Sequence, residues 1–160
     1  MLAKGGVLLV VPAGKLRFFG GYTQRSGRPA YLRPMQIPGL YYRESPLGGR
    51  GVFTAEAIPA GGIIEICPVI FLDPRDTETI HDTHLHDYYF LWGKQGSAIA
   101  LGYGSLYNHA AAPNADYGMD FDERTIAFHA LWDIAAGEEI TINYSQGETG
   151  ERTELWFEVR

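Results

Sequence analysis

The chain has 160 residues, 46% of them hydrophobic and 20% charged, a length that favours one domain and a composition that excludes disorder. Its net charge is −6 with no basic stripe, which argues against a nucleic-acid binder; an acidic balance suits a basic peptide substrate and equally suits plain solubility. A single cysteine, Cys67, excludes an internal disulfide framework and a cysteine-rich zinc site, and it favours a reducing, intracellular setting.

Taken in chain order, the patterning is that of a mainly β protein. Twenty glycines and nine prolines suit short strands joined by turns better than a helical bundle. The run Val7–Val11 is too short for the core of a signal peptide or for the ~20 apolar residues of a membrane span. With Leu16–Phe19 it reads as a hairpin. From Gly20 to Pro38 there is no acidic residue but three each of proline, arginine and glycine, so residues 1–38 read as an extension plus linker. Met35 as an alternative start would make residues 1–34 an upstream over-extension.

Tyr41–Glu44 then leads into a glycine-rich turn over 46–51, and Val52–Thr54 reads as a strand. Pro59–Gly62 is a tight turn, and Ile63–Cys67 resumes a strand. Asp73–Asp87 is polar and reads as a loop or short helix, Tyr88–Trp92 as a buried aromatic strand, and Ile99–Leu101 as another short strand. Thr125–Ala130 and Ile140–Tyr144 are strands separated by a turn at Ala135–Gly137.

Three segments could carry chemistry. Gly48, Gly49 and Gly51 allow close backbone approach to a ligand carboxylate, although an isolated Gly-Gly-x-Gly is also an ordinary turn, and no GxGxxG opens a helix. Asn108-His109 could satisfy the donors and acceptors of a purine or an amino group. Glu139–Tyr144 alternates as a strand and delivers a tyrosine at its end.

Together and in this order, these segments resemble the SET domain of protein-lysine methyltransferases. The resemblance rests on Gly49-Arg50-Gly51-Val52-Phe53 with the Pro59-Ala60-Gly61 turn, Asn108-His109-Ala110-Ala111-Ala112-Pro113-Asn114, and Gly137-Glu138-Glu139-Ile140-Thr141-Ile142-Asn143-Tyr144. It covers roughly residues 41–145. Ser45–Gly49, Asp87-Tyr88-Tyr89-Phe90 and Ala100-Leu101-Gly102 further resemble the minimal viral SET enzymes, whose dimers make a homodimer an expectation here. Ala110 and Ala111 depart from the family's Ser-Cys, and Asn143 from its acidic residue.

The resemblance implies a β-clip-like fold of several small sheets with short helices or loops and a C-terminal pseudoknot. It implies a SET domain over 39–146 and a tail over 147–160 that closes the cofactor site. The implied cofactor is S-adenosylmethionine, and the implied partner is a protein with an exposed lysine in a basic flexible segment. Tyr144, Tyr103 and Tyr88 would be the catalytic and channel tyrosines; Gly49, Arg50, Gly51, Val52, Tyr88, Asn108, His109, Tyr144 and Trp156 would bind the cofactor. No metal, nucleic-acid or membrane partner is implied, and the compartment would be the cytoplasm or a nucleus. Two other classes compete: a SET module that only binds a partner, and a metal site at His81, His84 and His86, which lacks a downstream carboxylate and histidine at suitable spacing.

Overall fold

A long strand with a proline in its middle organises the larger of two curled sheets. The computed structural model describes residues 35–94 and 96–144. In it, β4 (Ile63–Leu72) is central: β9 (Thr125–Ala130) pairs antiparallel with its first half, and β8 (Ala115–Asp120) adds outside β9. On its other side, β1 (Met35–Gln36) lies against Glu65 and Ile66, while β6 (Ser97–Ala100) pairs with Val69–Leu72 and carries the edge strand β5 (Tyr89–Leu91). Pro68 sits where the partner on that side changes. A proline removes one ladder donor, so it is tolerated where pairing is being exchanged. The sequence pattern ends the strand at Cys67; the pairing carries it five residues further.

The second sheet has the order β2 (Leu40–Glu44), β3 (Arg50–Thr54), β10 (Glu139–Ile142) and β7 (Asn108–His109). The pairs β2–β3 and β3–β10 are antiparallel, while β10–β7 is parallel, with Thr141 opposite Asn108 and Ile142 opposite His109. This parallel pair places two of the sequence motifs side by side. Asn114 locks it, accepting the Thr141 N–H at 2.8 Å and donating to the Glu139 carbonyl at 2.8 Å, as a strand backbone would.

Between the sheets lies one core in which Val52, Ile64, Ile126, Phe128, Ile134, Ile140 and Ile142 are fully buried. The mainly β class read from composition holds, and so does the helix-or-loop reading of 73–87. There α1 (Pro74–His81) starts at Asp73, whose carboxylate caps the Arg75 and Asp76 N–H groups at 2.8 and 3.0 Å, with proline at the first helical position. A 3-10 turn over His84–Tyr88 follows.

The buried aromatic strand at 88–92 needs correction. Its strand, β5, is a sheet edge: Leu91 is 59% and Tyr88 37% exposed, and only Trp92 is buried, at 2%. Aromatic composition marks a residue that fits a pleated surface, not one enclosed on both faces. The β8 strand goes unread in the sequence although it alternates, because Asp116, Gly118 and Asp120 are poor strand formers that read as turn residues. The hairpin predicted over Val7–Phe19 lies outside the described residues. No described helix is long and apolar enough to cross a membrane.

Candidate active site

The β2–β3 turn is built by two different uses of glycine. Gly48 and Gly49 have φ of +123° and +57°, a region that L side chains rarely adopt. Among the described residues nothing stands within 4 Å of the position a Cβ would take at either, so they leave an open backbone shelf. Gly51 serves its neighbours instead. A Cβ there would overlap the Glu139 carboxylate and stand 2.8 Å from the Asn108 amide nitrogen.

That carboxylate ties three elements together. Glu139 accepts from the Ser45 hydroxyl at 2.7 Å and from the Asn108 amide at 2.8 Å, joining the β2–β3 turn, β7 and β10. Because a carboxylate only accepts, the Asn108 amide must present its NH2 there, which leaves Oδ1 as an acceptor. The neighbouring Glu138 is turned elsewhere. It accepts from Asn114 at 2.9 Å and from the Ala135 N–H at 2.9 Å, closing the turn into β10.

Just past β10, Tyr144 is held at both ends. Its N–H donates to His109 Nδ1 at 3.1 Å, and its hydroxyl donates to the Tyr107 carbonyl at 2.6 Å. Accepting at Nδ1 fixes His109 as the neutral tautomer with its proton on Nε2, and burial pulls its pKa down, in the same sense. Burial, reinforced by the Asp87 carboxylate, pushes the Tyr144 phenol up to about 12, so it stays protonated at neutral pH.

These residues face a cleft of about 280 Å³ lined by Gly48, Gly49, Arg50, Asp87, Tyr88, Ser105, Leu106, Asn108 and Tyr144. Of the sequence-derived candidates, Gly49, Arg50, Tyr88, Asn108 and Tyr144 therefore meet in one place. The others sit differently. The Val52 side chain is wholly buried in the core, Gly51 is a space-maker behind the cleft, and His109 contributes through Tyr144. Tyr103 packs edge-on against Tyr42 with ring centres 5.9 Å apart, and it donates its N–H to Glu65 at 3.1 Å. Trp156 lies outside the described residues.

Sequence reasoning missed Glu139 and Asp87. Glu139 stands inside the third motif, and the register that places it on the same face as Gly51 was its only signal. Asp87 precedes Tyr88 in the 3-10 turn and lines the cleft. The three histidines do not converge. His81 and His86 stack with ring centres 4.2 Å apart, His81 Nδ1 bonds the Tyr89 hydroxyl at 2.7 Å, and among the described residues no three potential ligands gather.

Comparison with known proteins gives the same picture. Residues 49–145 match the family model for the SET domain. A Schizosaccharomyces pombe protein named histone-lysine N-methyltransferase, H3 lysine-37 specific, is 34% identical over 131 residues, covering 81% of each chain. A Plasmodium falciparum crystal structure, described as that of a candidate histone methyltransferase, superposes with a TM-score of 0.56 at 32% identity, covering 68% of this chain and 98% of its own. With the match spanning more than half its length, and with the shelf, the Asn108-His109 strand and Tyr144 brought together, the chain belongs to the SET-domain family.

Proposed function

We propose that the protein transfers a methyl group from S-adenosylmethionine to the side-chain amine of a lysine in a protein substrate, histone-like or otherwise basic. The observation that carries this reading is the doubly anchored Tyr144, set beside the glycine shelf and Asn108 in one cleft. The names of the two relatives support lysine as the acceptor.

The cleft suits the amino-acid end of such a cofactor. The open backbone at Gly49 and the Arg50 guanidinium offer positive potential to a carboxylate, while Asn108 Oδ1 and the Asp87 carboxylate can receive an ammonium. When bound, the cofactor supplies an electrophilic methyl on a sulfonium.

The remaining demands fall on the protein. The attacking amine must be neutral, yet free lysine has a pKa of about 10.4, so only on the order of one in 10³ is neutral near pH 7.4. Aromatic walls, for which Tyr88 and Tyr103 are the candidates, disfavour the ammonium by desolvation. Tyr144 is not the base, because a phenol held neutral cannot take that proton. Its hydroxyl hydrogen is committed to the Tyr107 carbonyl, which leaves the oxygen lone pairs to orient the amine. Alignment of this kind is worth about 7–11 kcal/mol in well-oriented systems.

The test is methyl transfer by the full chain from methyl-labelled S-adenosylmethionine to core histones and a lysine peptide array. Tyr144→Phe is expected to keep cofactor affinity within about threefold while turnover falls roughly 10²-fold, as for loss of one preorganised polar group. Unchanged transfer in that variant refutes the role.

A further inference from the structure

One buried carboxylate stands outside the cleft lining. Glu65 lies on β4 between Ile64 and Ile66, and it is 3% exposed. Burying a carboxylate is unfavourable unless it is well bonded, and a well-packed apolar residue would stabilise as much or more. Its partners show what it gains. Oε1 accepts the Tyr103 N–H at 3.1 Å, Oε2 accepts the Tyr107 hydroxyl at 3.0 Å, and the Cys67 thiol also donates to it.

The chain between β6 and β7 is shaped around this group. Gly102 has φ +69°, and a Cβ on it would overlap Glu65 Oε1. At Gly104, a Cβ would stand 2.8 Å from Cys67 Sγ and 2.6 Å from Ala100 Cβ. Leu106 N–H returns to the Tyr103 carbonyl at 2.8 Å, and Ser105 Oγ accepts the Ala100 N–H at 3.0 Å. Ser105 and Leu106 then form part of the cleft wall.

Both ends of segment 103–107 are thus fastened to one carboxylate. The far end matters most, because Tyr107 places its phenol on Glu65 and its carbonyl under the Tyr144 hydroxyl. Rotating or sliding Tyr107 would move the acceptor that aims Tyr144. We propose that Glu65 is a positioning residue for methyl transfer. Through Tyr107 it fixes the carbonyl that holds Tyr144, and through the Tyr103 N–H it fixes the cleft wall. This rests on Tyr144 being the tyrosine at the transfer site.

Two near-isosteric variants test it in the full chain. Tyr107→Phe deletes the hydroxyl while keeping ring and carbonyl. Glu65→Gln keeps an acceptor for Tyr103 but presents an NH2 to Tyr107. Each is expected to lower kcat about tenfold, with lysine-peptide KM and S-adenosylhomocysteine affinity within about twofold of the parent. In a Tyr144→Phe background the same changes should have little further effect, because residues that act as one unit are non-additive.

Unchanged kcat in both variants overturns the proposal, as does an equal fold-loss with and without Tyr144. A parallel fall in kcat, cofactor affinity and melting temperature also overturns it, since that marks a scaffold role. Failure of the underlying functional reading is separately visible: the unsubstituted protein would transfer no methyl group to any protein or peptide.

Discussion

At the scale of single residues, glycines a few positions apart are held by opposite constraints. Gly49 is needed for its dihedral angle and Gly51 for the volume it leaves empty. Gly49→Ala should therefore lower stability by about 1–2 kcal/mol, the cost of a Cβ in left-handed backbone. Gly51→Ala should lose more, because it drives a methyl into the Glu139–Asn108 bond, and it should also weaken cofactor binding. Urea denaturation together with cofactor titration of the two variants checks this, and equal losses would contradict it. The sequence shows Gly-Gly-x-Gly and no more. Which glycine supplies an angle and which supplies space depends on Glu139, a partner far along the chain and beyond the reach of local pattern. Tyr144's place in the cleft was legible for the opposite reason: it follows a regularly alternating strand within a motif.

At the scale of elements, β10 is the hinge pin of the site. It is bordered by β3 on one side and β7 on the other, and it hands the chain directly to Tyr144. Asn114 supplies this short strand with bonds that no neighbouring backbone provides there. Asn114→Ala would strand the Thr141 N–H, and a buried unpaired donor costs about 1–3 kcal/mol. Loss of stability in that range, accompanied by loss of turnover because Tyr144 drifts, should appear in denaturation and transfer assays. A stable, fully active variant would show that the clamp is dispensable. Strands with regular alternation, such as Thr125–Ala130, were legible in the sequence to the residue. The two-residue β7 was not, because its pairing comes from a strand far along the chain, and β8 was not, because its aspartates and glycine read as turn residues.

At the scale of the whole molecule, pH acts on stability through several shifted groups, among them Glu65, Tyr144 and His109. Burial raises Glu65 above 4.5, so the folded state holds that proton more tightly, and stability falls as pH climbs from 4.5 through the raised value. Tyr144 adds the same sign between 10 and about 12. His109 acts oppositely: its lowered pKa means stability is lost as pH falls below 6.5. Melting curves of Glu65→Gln against the parent should therefore differ increasingly in the variant's favour as pH rises above 4.5. A pH-independent difference would count against the buried-charge account. The family was legible at this scale because three motifs in fixed order belong to one cleft, whereas the shape of the cleft floor depended on a buried carboxylate with no motif around it.

Cys67, packed against that carboxylate, has one more consequence. It is the chain's single thiol, 1% exposed, and burial beside Glu65 pushes its pKa far up, so the reactive thiolate is suppressed twice over. A labelling reagent can reach it only when the packing of β4 against the core and segment 103–107 opens. The molecule thus carries a built-in clock whose ticking, the rate of thiol modification, reports how often the ground beneath Tyr107 gives way.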